Sequence, residues 1–433
     1  MPSSTRRFLL PLGLALLCVV ALVVGLLWQL KQSTQNLSGA VAPGEKKNDV
    51  MPVVETIDPR DTALMAMRQG DVKALQGQWT AARDAYARAV EADGGLAALR
   101  KLAQAELQLG DKDALAGTIQ KMRDAGATGP DIQLLEVISA LRAGDLQKAQ
   151  EGVAALPAHS SQQAYADALL AILQGDHDRA VQSLAAVQAG SEPLLKNYAS
   201  VLQGAYEEYA IFPESPNIHL ITLLGRALAQ IEECPLALPL LSQVTVQQPD
   251  YRDAWIVRGF CELSAGKADD ALISLNQAYS LDPEKPETQY YLGRAYSGTG
   301  DRHNAITFLQ HALKNGFKPE RTVREALLEE ANATSDALLA LQQAQALAAA
   351  DDATVSDAEV AVMLSVQSQD FVGALSIAEA ATTRWPDDGR SFDLLGLALG
   401  TSGRRDEAKQ ALEHALALNP NLQSAKERLE SLR

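Results

Sequence analysis

The side chains best able to do chemistry in this 433-residue chain are few and dispersed. Its six histidines, at 159, 177, 219, 303, 311 and 414, form no set spaced to share a metal. Its three cysteines, Cys18, Cys234 and Cys261, make no CxxC and join no histidine cluster, which argues against a structural zinc or a thioredoxin-like dithiol. There is no G-x-S-x-G for a serine nucleophile, no H-E-x-x-H for a metallohydrolase, and no glycine-rich phosphate loop between a strand and a helix. The adjacent acids Asp351-Asp352 and Glu232-Glu233 read as solvated turn residues, not as an acid and a base brought together. The expectation is a chain that performs no catalysis and needs no cofactor and no metal.

Hydrophobic residues make up 47% of the chain and aromatics only 5%. The apolar content is largely Ala and Leu, which suits close-packed helices better than sheets. Net charge is −16. Beyond residue 31 there are 35 basic against 54 acidic side chains, a balance of −19. Such a surface repels phosphate backbones, and no basic run offsets it, so nucleic acid is not the expected partner. The acidity itself is what a soluble, solvated surface needs.

Phe8 to Leu30 contains no charge, and Arg6-Arg7 and Lys31 flank it. At about 1.5 Å per residue, a helix of that length crosses a hydrocarbon core of about 30 Å. Pro11 falls in the first turns and Trp28 where an interfacial aromatic belongs. A cleavable signal peptide competes with this reading, since Ser38-Gly39-Ala40 supplies small residues, but the apolar core is longer than a signal peptide needs and ends well before them. A retained single-pass anchor is favoured. The arginines precede the segment, whereas Lys31, Lys46 and Lys47 follow it, a slight bias toward an extracytoplasmic C-terminal part. Residues 32–59, rich in Ser, Asn, Gly, Pro and Lys, read as a flexible stalk. Asn36-Leu37-Ser38 and Asn332-Ala333-Thr334 match the glycosylation pattern, which matters only in a eukaryotic secretory setting.

The remainder repeats itself. From Asp253-Ala254-Trp255 a helix is predicted through Leu263, then a turn at Ala265-Gly266-Lys267, a second helix from Asp269 to Tyr279, and a stop at Asp282-Pro283. Thirty-four residues on, Leu292-Gly293, Gly300, Ala305 and Ala312 echo Arg258-Gly259, Gly266, Ala271 and Ala278. One interval back stand Leu224-Gly225, Ala237 and Pro249. Near the end the pattern returns as Leu395-Gly396, Gly403, Ala408, Ala415 and Pro420, with Ala374, Ala381 and Pro386 before it. Small residues are needed where two helices cross closely. Glycine suits the left-handed turn, and proline ends the second helix. Leu241, Leu275, Leu309 and Leu412 are expected to fill the seam between pairs.

On these residues the chain resembles the tetratricopeptide repeat (TPR) family. The resemblance implies an all-α solenoid of helix pairs, following one N-terminal transmembrane helix. The organisation read from the sequence is an anchor over 1–31, a stalk over 32–59, diverged repeats over 60–192, and a linker helix with a Pro-rich break over 193–217. Three repeats follow over 218–319, then a degenerate pair over 320–354, and two repeats with a capping helix over 355–433. In the diverged half, Gly77 with Ala82, Tyr86 and Ala89, Gly110-Asp111, Gly144-Asp145 with Ala149, and Gly175-Asp176 with Ala180 mark further pairs.

In this family the first helices line the ligand groove. The register places His219, Thr222, Arg226, Ile256, Phe260, Tyr290 and Arg294 there, with Phe260 and Tyr290 to hold an apolar side chain and Arg226 and Arg294 to pair with a carboxylate. The Lys and Asn clamp by which some members hold a C-terminal carboxylate has no counterpart at these places. Cys234 and Cys261 are either a disulfide pair in an oxidising compartment or two buried small apolar residues. The resulting expectation is a membrane-tethered scaffold for protein or peptide partners in the envelope. A cytoplasm-facing adaptor or quality-control factor and a non-catalytic subunit of a membrane enzyme complex stand as alternatives.

Overall fold

The computed structural model describes residues 59–75, 78–127, 129–212 and 214–432. The expected anchor Phe8–Leu30 and nearly all of the stalk lie outside these residues, and no described helix is long and apolar enough to cross a membrane. The described residues form twenty-two helices and no strand. Four pairs come first: α1 (Pro59–Leu75) with α2 (Trp79–Glu91), α3 (Gly95–Leu109) with α4 (Lys112–Asp124), α5 (Gly129–Arg142) with α6 (Leu146–Ala155), and α7 (Ser161–Gln174) with α8 (His177–Ala189). The single helix α9 (Pro193–Ile211) follows. Then come α10 (Asn217–Gln230) with α11 (Cys234–Gln247), α12 (Arg252–Ser264) with α13 (Ala268–Leu281), and α14 (Pro286–Thr299) with α15 (Arg302–Lys314). The last pairs are α16 (Glu320–Thr334) with α17 (Ala337–Ala348), α18 (Val355–Gln367) with α19 (Phe371–Arg384), and α20 (Gly389–Thr401) with α21 (Arg405–Leu418), and α22 (Gln423–Ser431) covers the final pair. Each helix packs on its neighbours in chain order, which is the contact pattern of a solenoid.

Two adjacent residues make the turn inside many pairs. Helix α7 ends at Gly175 in the left-handed region, φ 74°, and the N–H of Asp176 turns back to the Ala171 carbonyl at 2.9 Å. The Asp176 carboxylate then accepts the N–H of Arg179 and caps α8. One helix stops and the next starts with no residue to spare, and carbonyls at the end of α7 and an N–H at the start of α8 gain partners they would otherwise lack. Gly300-Asp301 repeats the device between α14 and α15. Asp336 and Asp370 cap α17 and α19 in the same way, but the left-handed residues before them are Ser335 (φ 57°) and Gln369 (φ 61°). Pro249, Pro283, Pro386 and Pro420 fall just beyond the ends of α11, α13, α19 and α21.

Within a pair, the crossing is set by one contact. A Cβ placed on Gly259 would lie 2.5 Å from Leu275 Cγ, and on Gly225, Gly293 or Gly396 it would lie 2.8, 2.7 or 2.5 Å from atoms of Leu241, Leu309 or Leu412. These leucines are fully buried. Each also reaches onward: Leu275 shares a core with Leu292 and Ala295 of the next pair, and Leu309 with Val323, Ala326 and Leu327. The seam expected from the sequence is present, and the same side chain closes its own pair. Gly70 and Tyr86 make this contact between α1 and α2, at 2.3 Å for a Cβ on Gly70.

The segment 193–217, read as a linker helix and a Pro-rich break, holds the nineteen-residue helix α9, which buries Leu195, Ala199, Leu202 and Ala205 in a core that extends from Leu99 to Cys261. One reading of the sequence changes. The pair Glu232-Glu233 is not solvated throughout. Glu233 is buried against Arg142, 2.8 Å away, and the two side chains are 6% and 7% exposed. A charge can be buried when a cation of matching geometry shares its site, and the partner here lies ninety-one residues away, beyond any sequence pattern. Cys234, at the head of α11, is disulfide-bonded to Cys261 of α12, with their Cα atoms 5.1 Å apart.

Two substitutions probe this account. Gly259→Ala and Gly117→Ala add the same methyl group to a helix interior. At exposed Gly117 the added carbon meets nothing within 4 Å, so stability should rise by about 1 kcal/mol from helix propensity. At Gly259 the buried Leu275 cannot swing away, and overpacking by about 1–3 kcal/mol should reverse the sign. Thermal unfolding followed by circular dichroism reads both, and equal shifts would refute the close-crossing argument. Separately, Gln369→Gly should raise stability by about 1 kcal/mol by relieving the left-handed backbone, whereas a lower melting temperature would show that Gln369 is held there without strain.

Candidate protein-binding surface

The first helices α10, α12 and α14 carry the residues expected to meet a partner, and the structure divides them into three groups. Thr222 and Ile256 are buried. The Thr222 hydroxyl donates to the Ile218 carbonyl at 2.8 Å, one turn back, which satisfies the only polar group of a side chain turned toward the core. Neither residue offers a side chain to a partner in this arrangement.

The second group is aromatic. Phe260 on α12 is half-buried, its ring 5.4 Å from that of Tyr291 on α14. Tyr291 meets its neighbour Tyr290 edge-on at 5.3 Å, and Tyr290 stacks on Phe317 at 4.4 Å. Phe260 and Tyr290 therefore belong to one aromatic row that crosses from α12 over α14 to the segment after α15. Burial raises the Tyr290 phenol above its ordinary value, and Arg294 opposes part of that shift. His219 on α10 sits apart from this row. Its Nδ1 is 2.7 Å from the Tyr251 hydroxyl, and its ring centroid is 6.2 Å from that of Tyr209.

The third group is charged and exposed. Arg226 pairs with Glu208 of α9, and Arg294 pairs with Glu329 of α16 at 3.0 Å. Exposed pairs of this kind contribute about 0–1 kcal/mol, so a carboxylate on a partner can replace Glu208 or Glu329 at little cost. Arg226 and Arg294 stand at matching places two pairs apart, on either side of the pair that carries Phe260. The surface thus presents half-buried rings together with two exchangeable cations, Arg294 one turn along α14 from Tyr290 and Arg226 on α10.

Tyr291, Glu208 and Glu329 complete this surface, with buried Phe317 behind Tyr290, without having been marked by the sequence. Tyr291 adjoins Tyr290 and was legible as its neighbour. Glu208 lies on α9, outside the repeat period, so no register pointed to it. Among the described residues no group of His, Cys, Asp and Glu is placed to hold a metal ion. His177 and His219 meet tyrosines, whereas His311 and His414 meet Phe308 and Phe392: His177 Nδ1 is 3.3 Å from the Tyr206 hydroxyl, and burial holds the His177 pKa below its ordinary value.

Family models described as tetratricopeptide repeat match residues 63–130, 222–286, 286–315 and 389–422. The chain is 26% identical over 234 residues to the peroxisomal targeting signal receptor of Saccharomyces cerevisiae, covering 52% of this chain and 38% of that protein. It is 27% identical over 219 residues to the Kluyveromyces lactis protein of the same name, covering 50% and 38%. It spans about two fifths of the length of these relatives. Among solved structures it is similar to YrrB, described as a TPR protein with an unusual peptide-binding site, at 18% identity and a TM-score of 0.36, covering 44% of this chain and 97% of that one. It is also similar to the Cut9–Hcn1 hetero-tetramer of the APC/C, at 12% identity and a TM-score of 0.32, covering 87% and 98%. The recurring helix pairs and the family matches lead to one conclusion: the chain carries tetratricopeptide repeats in both of its halves.

Proposed function

We propose that this chain is a membrane-tethered scaffold that recruits protein or peptide partners on the extracytoplasmic side of a membrane. The observation that carries the binding part is the aromatic row of Phe260, Tyr291 and Tyr290, backed by buried Phe317, with exposed Arg294 on the same helix as the tyrosines and Arg226 two pairs earlier. Rings held by one another present apolar area at little entropic cost, and the two exposed guanidinium groups pair with the carboxylates of an acidic or C-terminal segment. The matched relatives are named as receptors for a targeting signal, which favours a short peptide segment as ligand. The tether rests on the uncharged stretch Phe8–Leu30 with its arginines in front. The side of the membrane rests on that charge bias and on the Cys234–Cys261 bond, which an oxidising compartment sustains. Anchor and binding surface in one chain suit assembly of envelope complexes by collecting their components.

Two experiments test this reading. A photocrosslinking residue in place of Phe260 should give partner adducts in intact cells. Arg226→Glu with Arg294→Glu in the same chain should cut adduct yield about tenfold or more, the scale of losing one or two charge-assisted bonds, while helicity is retained. Undiminished yield would remove the arginines from the site. Protease added outside spheroplasts should cleave a C-terminally tagged chain without membrane lysis. Protection until lysis would place the repeats in the cytoplasm and favour the adaptor reading.

A further inference from the structure

Three consecutive residues at the head of α11 are each held in an unusual state. Glu232 takes a left-handed backbone, φ 64°, at the place where the next two repeats put Gly266 and Gly300. Glu233 keeps a carboxylate in the core against Arg142. Cys234 is bonded to Cys261. One repeat further on, the corresponding residues are Gly266, Lys267 and Ala268, with Ala295 in the place of Cys261. The bond and the ion pair are thus additions at this repeat, and the repeat packs elsewhere without them.

Arg142 makes the spot a junction. Besides meeting Glu233, it donates to the Leu107 carbonyl at 2.5 Å and to Gln108 Oε1 at 3.5 Å, so one guanidinium joins α3, α5 and the turn before α11. Five helices, α6 to α10, separate α5 from α11 in the chain, so this contact bypasses the neighbour-to-neighbour packing of the solenoid. The core on both sides is shared, with Tyr165 fully buried beside the pair. A buried ion pair holds only while its geometry holds, because the desolvation cost is large and fixed. A left-handed backbone at a residue other than glycine likewise persists only where its surroundings dictate it. The disulfide is the covalent restraint next to both.

We propose that the Cys234–Cys261 bond is a redox-operated clasp: oxidised, it keeps Glu233 docked on Arg142 and the N-terminal helices fixed to the repeats that begin at α10; reduced by a dithiol carrier, it lets that junction open. Cys261 has no exposed surface and Cys234 is 7% exposed, so the thiolate of the carrier attacks Cys234 Sγ. Cys261 leaves as a thiolate and takes up a proton. The second thiol of the carrier then attacks the mixed disulfide and releases Cys234 as a thiol. Two electrons and two protons have passed to this chain, and the carrier departs with its own disulfide. Glu233 then relaxes toward water, the backbone at Glu232 leaves the left-handed region, and Arg142 loses its carboxylate partner. The clasp is independent of what the aromatic row binds.

The test is hydrogen exchange by mass spectrometry on the purified full-length chain, oxidised and then treated with dithiothreitol. Reduction should speed amide exchange about tenfold or more both at 229–236 and at 139–145, with 286–315 unchanged, and reoxidation should restore protection. The double variant Cys234→Ala and Cys261→Ala, which places alanines where the next repeat has them, should show the open pattern with or without dithiol. Faster exchange at 229–236 alone would mean that the bond does not govern the junction. Faster exchange throughout would make it a staple of the whole fold. Two free thiols in the protein purified without reductant would remove the clasp altogether. Each of these three results overturns the proposal.

Discussion

How closely the two helices of a pair can cross is the constraint on which the rest of the molecule rests. A leucine on the second helix lies where the side chain of a first-helix residue would otherwise be, so that residue must be glycine, as at Gly225–Leu241, Gly259–Leu275, Gly293–Leu309 and Gly396–Leu412. The trade of volume is what matters, and other pairs make it differently. At the same offset, α3 and α4 bury Ala103 and Ile119, and α7 and α8 bury Ala168 and Leu184. In α18 and α19 the bulk moves to the first helix, with Val362 and Ala378 both fully buried in one core. The summed volume is limited because protein interiors pack at near-crystal density, and no single residue type is dictated. From that crossing follow the short turn, the aspartate cap and the reach of the leucine to the next pair.

This explains which parts of the molecule could be read from the sequence. Where the volume is divided at its extreme, glycine against leucine, the period of thirty-four residues is plain, and the pairs between 218 and 319 and the pair over 389–418 stand out. Where the division is more even, as in α3–α4 and α7–α8, the glycine is missing and the repeat looks diverged although the packing problem is the same, while the reversed pair α18–α19 was legible through Ala374, Ala381 and Pro386. The turns were legible for a related reason. Aspartate after glycine states both the stop and the start, but Gln369-Asp370 carries only half of that signal.

The surface was harder to read than the core. Register along one helix placed Phe260, Tyr290, Arg226 and Arg294 on the first helices, yet it also placed Thr222 and Ile256 there, and a small rotation of a helix is enough to turn a position inward. The companions of the exposed residues depend on how successive pairs are offset. Glu329 reaches Arg294 from the next first helix, and Glu208 reaches Arg226 from α9, which obeys no period. The same limit hid Arg142 and Glu233: nothing in either residue's local sequence names the other. Several other cations also bridge successive pairs, such as Arg302 on buried Glu330 at 2.9 Å and Arg321 on Asp352 at 2.8 Å, so positive charge is spent inside the chain and the remaining surface is acidic.

The apolar core is not evenly divided along the chain. From Leu99 to Cys261 it is one body, whereas beyond that it breaks into small clusters, each shared by two or three helices. That difference sets how the gene can change. A pair gained or lost between α14 and α21 disturbs only its two neighbours, so this part is free to lengthen or shorten by duplication and deletion. A pair removed between α5 and α11 would carry away residues that the whole block shares and would shift Arg142 relative to Glu233. One stretch of the chain can therefore evolve by counting repeats, and the other only by substitution within a fixed length.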